Sequence, residues 1–93
     1  MTDVLSDDEI ADRLPDTWVR DGDEVVRVYE FSNYLRGVNF AQMVGEIAQV
    51  QSHYPEIIIR HKEIEIRLTT PEAGGITRAD ISMAEVLEAE QVA

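Results

Sequence analysis

Residues 49–80 read Q-V-Q-S-H-Y-P-E-I-I-I-R-H-K-E-I-E-I-R-L-T-T-P-E-A-G-G-I-T-R-A-D, and this stretch decides the fold. Pro55 ends whatever helix runs into it, because a proline excludes the residue before it from the α region. Residues 56–61 hold Ile57, Ile58 and Ile59, a short continuous apolar run that suits a strand covered on both faces. Residues 63–69 alternate, with Ile64, Ile66 and Leu68 set inward and Glu63, Glu65 and Arg67 outward. His61-Lys62 is the turn between the two strands. Pro71-Glu72-Ala73-Gly74-Gly75 is a loop. Thr77 then caps a last helix, with Asp80 three residues on as its capping-box partner and Ile76 and Ile81 in staple positions. Ile81, Ala84 and Leu87, extended by Glu88, form its apolar stripe.

Upstream, Ser32 or Asn33 caps the longest helix, which runs to about Gln51. Phe40, Val44 and Ile47 lie on one side of it, and Asn39, Gln42, Glu46 and Gln49 on the other, as expected of an amphipathic helix lying on a sheet. Before it come strands at residues 17–20 and 24–31, joined by the hairpin signal Asp21-Gly22. In the second strand Val26 and Val28 share one face, and Val25, Arg27, Tyr29 and Phe31 the other. Arg27 makes the second face the wetter of the two, or one covered by another subunit. A first helix opens at Ser6, with Glu9 completing a capping box and Leu5 and Ile10 its staple. Pro15 closes it. The order helix-strand-strand-helix-strand-strand-helix implies an α+β domain spanning residues 1–93. Its sheet is four-stranded and antiparallel, with the helices on one face.

Composition narrows the function. The formal charge of −11 disfavours direct contact with nucleic acid, whose phosphates it repels. No apolar run approaches a membrane span, and the N-terminus has neither a basic region nor a long apolar core. A cytoplasmic protein is the expectation. With no cysteine there is neither a disulfide framework nor a thiolate site. The basic residues are seven arginines and the single Lys62. Low lysine with excess acid fits adaptation to high salt, and fits a GC-rich genome equally well. The two histidines, His53 and His61, are separated by a proline and a strand, so no metal site is expected.

From His53 to Asp80 the spacing resembles that of the pterin-4a-carbinolamine dehydratases. Their pattern runs acid-x-x-x-His-His-Pro, then about fifteen residues, then Thr-His-x-x-x-Gly-hydrophobic-Ser/Thr-x-x-Asp. His53, Pro55, Thr70, Gly75, Ile76, Thr77 and Asp80 match it. The departures are Gln49 at the acidic position, Tyr54 at the second histidine and Pro71 at the later one. The resemblance implies a pterin pocket at His53, Tyr54, Pro55, Thr70, Pro71 and Asp80, with His53 as the one retained catalytic histidine. No separate cofactor is implied.

The family's reaction removes water from a 4a-hydroxytetrahydropterin and needs a proton donor and an acceptor working near neutrality. Proline can be neither, and tyrosine titrates near pH ~10. The resemblance therefore implies, first, a non-catalytic relative serving as a protein-binding assembly factor. Among such relatives are the chaperones of Rubisco associated with α-carboxysomes. The alternative is a dehydratase with a diverged site that relies on His53. Without ligand chemistry, His53 caps the long helix, Tyr54 packs or sits at an interface, His61 is a turn residue, and Asp80 is the cap partner of Thr77. The family's habit of pairing through sheets and helices implies a homodimer, or a tetramer.

Overall fold

A computed structural model describes residues 3–90 of the chain. Helix α1 spans Asp7–Arg13, strand β1 Val19–Asp21, β2 Glu24–Glu30, helix α2 Tyr34–Gln51, β3 Glu56–Ile59, β4 Glu63–Leu68 and helix α3 Arg78–Ala89. The element order is the expected one. The strands form one antiparallel sheet in the order β1-β2-β4-β3.

Local chemistry accounts for most boundaries. Both capping boxes are present, Ser6 with Glu9 and Thr77 with Asp80, each satisfying amide donors that a helix start leaves free. Asn33 caps α2 by accepting from the Arg36 amide. The helix does not continue to Pro55. It stops at Ser52, which takes the left-handed conformation (φ 53°, ψ 38°) and so turns the chain before the proline is reached. Strand β1 lies slightly later than expected, and β3 is shorter. The chain leaves β3 at Arg60, whose amide donates to the Glu63 carbonyl at 2.9 Å, so His61-Lys62 forms the turn.

The core lies between the helices and one face of the sheet. Val25 and Tyr29 of β2 stand opposite Leu68 and Ile64 of β4, and Ile66 lies between them; all five are buried. Phe40, Val44 and Ala48 of α2 and Ile81, Ala84 and Leu87 of α3 cover them. Gly37 lets α2 approach β4 closely, since a methyl group there would meet the Ile64 side chain at 3.3 Å.

Two burial expectations are corrected. The face of β2 carrying Val25, Arg27, Tyr29 and Phe31 is the core face, and Val28 on the other face is 43% exposed. Arg27 is accommodated at the margin: its guanidinium stacks 4.2 Å from the Tyr29 ring centre and pairs with Glu88 of α3. Burial pushes the Glu88 carboxyl up, but hydrogen bonds from Thr17 and Arg27 outweigh it and leave its pKa below the usual value. The triple-isoleucine strand is not covered on both faces; β3 is an edge, and Ile59 is 45% exposed.

The outer face of the sheet carries an ion network among Val26, Val28 and Ile58. Arg67 contacts Asp21 and Glu24 at 2.9 Å and Glu65 at 2.5 Å, and Arg60 meets Glu65 at 2.9 Å. The bonds from Arg67 and Arg60 hold the Glu65 carboxyl below its ordinary range. The same acids raise the pKa of Arg67. The network ties β1, β2 and β4 to the chain leaving β3.

Candidate functional site

The left-handed turn at Ser52 throws His53 off the end of α2 and back toward the start of α3. The His53 amide still donates to the Ala48 carbonyl at 3.2 Å, so the backbone completes the helix end as expected of a cap. The side chain does something further. Its Nε2 lies 2.5 Å from Oδ1 of Asp80, a contact spanning 27 residues of sequence. The imidazole is 16% exposed and the carboxylate fully buried.

Asp80 is held from the other side. Its Oδ2 accepts from the Thr70 hydroxyl at 2.7 Å and from the Thr77 amide at 2.9 Å. The Thr70 and Thr77 hydroxyls are 2.8 Å apart. One carboxylate thus serves the α3 cap, the end of β4 and the histidine. A carboxylate only accepts hydrogen bonds, so Nε2 carries the proton in this pair and Nδ1 is left as the nitrogen free to accept one.

In front of the pair lies a cleft of about 300 Å³, lined by Ser52, His53, Tyr54, Thr69, Pro71 and Glu72. That volume is at the small end for ligand sites and suits a single ring system. One wall is the 52–54 corner; the other is the loop after β4. This loop is tightly closed. The Thr70 carbonyl accepts from the amides of Ala73, Gly74 and Gly75 at 3.0–3.4 Å, and the Thr70 amide donates back to Gly75. Gly74 takes φ 84°, a conformation only glycine adopts without strain.

The six pocket positions named from sequence separate into groups. His53, Tyr54 and Pro71 line the cleft. Thr70 and Asp80 are buried behind it and orient His53. Pro55 is half-buried and does not line it; outside the six, Gln49 at the acidic position of the pattern is exposed and does not line it. Tyr54 is 68% exposed. His61 is exposed at its turn, beside the Tyr34 ring at 6.5 Å, and does not stand in for a missing histidine. Sequence reasoning missed Ser52, Thr69 and Glu72. Glu72 was legible only as a loop residue beside Pro71.

Comparison with known proteins gives the lineage. The sequence profile of the pterin 4 alpha carbinolamine dehydratases matches residues 3–90. The chain belongs to this family. A relative from Natronomonas pharaonis, named "Putative pterin-4-alpha-carbinolamine dehydratase", is 54% identical over 85 residues, covering 91% of this chain and 92% of its own. A protein of the same name from Halobacterium salinarum is 54% identical over 84 residues, covering 90% and 92%. One from Thermomicrobium roseum is 42% identical over 85 residues, covering 89% and 91%. Among solved structures, a transcriptional coactivator/pterin dehydratase from Brucella melitensis superposes with a TM-score of 0.85 at 23% identity, covering 94% of this chain and 97% of its own. At that identity the likeness speaks for the fold. No helix among the described residues is long and apolar enough to cross a membrane.

Proposed function

We propose that the protein is a 4a-hydroxytetrahydropterin dehydratase in which His53 alone handles the proton and Asp80 positions it. The observation that carries this is the 2.5 Å contact between His53 and a fully buried carboxylate at the edge of the cleft. A helix-capping histidine has no need of it.

The proton balance of the reaction is compatible with one histidine. The C4a–O bond breaks, the adjacent N5–H bond breaks, a C4a=N5 double bond forms, and water leaves. No proton is gained or lost overall. One imidazole that takes the N5 proton and passes it to the departing hydroxyl completes the cycle. Asp80 stabilises the transient imidazolium and fixes which nitrogen is free, as a buried aspartate does for histidine in acyl-transfer triads. Positioned acid–base catalysis of this kind contributes about 10²–10⁴-fold.

Wild type should therefore dehydrate a 4a-hydroxytetrahydropterin about 100-fold or more above the uncatalysed rate, and His53→Ala should fall back to it. A folded wild type no faster than buffer would sink the proposal. Tyr54→His combined with Pro71→His should then restore activity if only the chemistry is missing.

A second reading, a non-catalytic protein-binding module, is favoured by Tyr54. Its ring is mostly in solvent where the family pattern has a histidine, and Pro71 beside it carries no proton. Rubisco as its client rests on the resemblance alone. Co-purification with Rubisco, and rescue of its assembly in a reconstituted system, are the tests; failure of both removes that client.

A further inference from the structure

The geometry points to Glu72 as the residue that selects the ligand of this cleft, by accepting hydrogen bonds from the N3–H and 2-amino group of a 2-amino-4-oxopyrimidine ring. This rests on the pterin reading above and extends it to the part of the molecule that does not react.

Of the polar groups on the lining residues, the Ser52 and Tyr54 hydroxyls, Nδ1 of His53 and the Glu72 carboxylate have no hydrogen bond among the described residues. The Thr69 hydroxyl is committed to the Asp23 carbonyl at 2.6 Å, and Nε2 of His53 to Asp80. Glu72 is the one carboxylate lining the cleft, and among the described residues it has no hydrogen bond or ion pair. The two buried acids are engaged, Glu65 by two arginines and Asp80 by three partners, whereas Glu72 is exposed. Glu72 also sits on a preorganised support. The turn that carries it is closed by three amides on the Thr70 carbonyl, so ordering it on binding costs little conformational entropy.

A free carboxylate offers two acceptor oxygens and no donor. It matches a ring edge presenting two adjacent donors and opposes one presenting a carbonyl. The 2-amino-4-oxo edge of a pterin has an N–H beside an NH₂. The 2,4-dioxo edge of a lumazine puts an oxygen where the NH₂ would be. His53 and Glu72 stand on separate segments of one cleft, the α2–β3 corner and the β4–α3 loop. That separation lets one group serve the reacting C4a–N5 side and the other the pyrimidine edge of a single bicycle.

The test is titration of the protein with pterin and with lumazine, followed by ligand fluorescence, for wild type, Glu72→Gln and His53→Ala. Circular dichroism checks that each variant is folded. Solvent dilutes a charged acceptor at this open site, so wild type should prefer pterin by about tenfold. Glu72→Gln should lose that preference, chiefly through weaker pterin binding. His53→Ala should keep it. Pterin binding with the preference intact in Glu72→Gln would overturn the assignment while leaving the dehydratase reading in place. A wild type that binds neither ring would overturn both.

Discussion

Replacing Asp80 by asparagine tests the arrangement at its centre. The carboxylate accepts from His53, Thr70 and Thr77 at 2.5–2.9 Å with no solvent contact. An asparagine of the same shape has one acceptor oxygen. To keep the α3 cap, that oxygen must stay on the Thr70/Thr77 side, and the amide nitrogen then faces His53. Two donors cannot share a proton, so the imidazole must move its hydrogen to Nδ1. The cost is the difference between charge-assisted bonds, about 1.5–3 kcal/mol, and neutral ones, about 0.5–1.5 kcal/mol, which comes to about 2 kcal/mol in total. For a domain of this size that lowers the melting temperature by about 8–16 °C. Activity should fall by about 100-fold or more at temperatures where the variant is folded, because the nitrogen left to accept a proton is the wrong one. Thermal melts and turnover should be measured on the same preparations. An Asp80→Asn protein with unchanged stability and unchanged turnover would show that the contact orients nothing.

Other outcomes follow from the same geometry. Ser52→Gly should stabilise the fold by about 0.5–1 kcal/mol in urea titration, because serine is strained at φ 53° and glycine is not. Glu65→Gln should change the acid limb of stability. The folded pKa of Glu65 lies below its ordinary value, so its pairing stabilises the protein above the ordinary carboxylate range and is lost as pH falls through the lower folded value. The difference between wild type and Glu65→Gln should therefore be constant near neutrality and shrink in acid, read from urea midpoints across pH. Ile66→Ala removes a fully buried side chain between strands and helices and should cost about 2–5 kcal/mol by the same assay.

What was legible in the sequence was mostly short-range. Ser6 with Glu9 and Thr77 with Asp80 announce helix starts from three-residue spacing, and the alternation of Ile64, Ile66 and Leu68 fixes the inner face of β4. Arg27 misled because charge normally marks a wet face. Nothing in the spacing reveals that a ring beside it and an acid 61 residues further along the chain will receive it. The isoleucine run of β3 misled for a related reason: apolar content measures what a strand prefers, not how many neighbours the topology supplies. The His53–Asp80 bond lay furthest from view. Each residue had a sufficient local role, as helix end and as cap partner, and only the fold brings the two together. Glu72 was hidden by being one polar residue in a loop.

The triple duty of Asp80 also changes what this aspartate can tell a reader of other sequences with the same fold. Folding alone is enough to retain it, because losing it frees a helix start and a buried threonine whether or not any chemistry takes place. His53 owes the fold its backbone amide, which any residue except proline supplies, and one donor to Oδ1 of Asp80, without which Oδ2 still keeps its bonds to Thr70 and Thr77. Decay of activity in such a chain would therefore be recorded first at the histidine. A surviving aspartate at the head of α3 testifies to architecture, and the imidazole at the foot of α2 is the better witness to function.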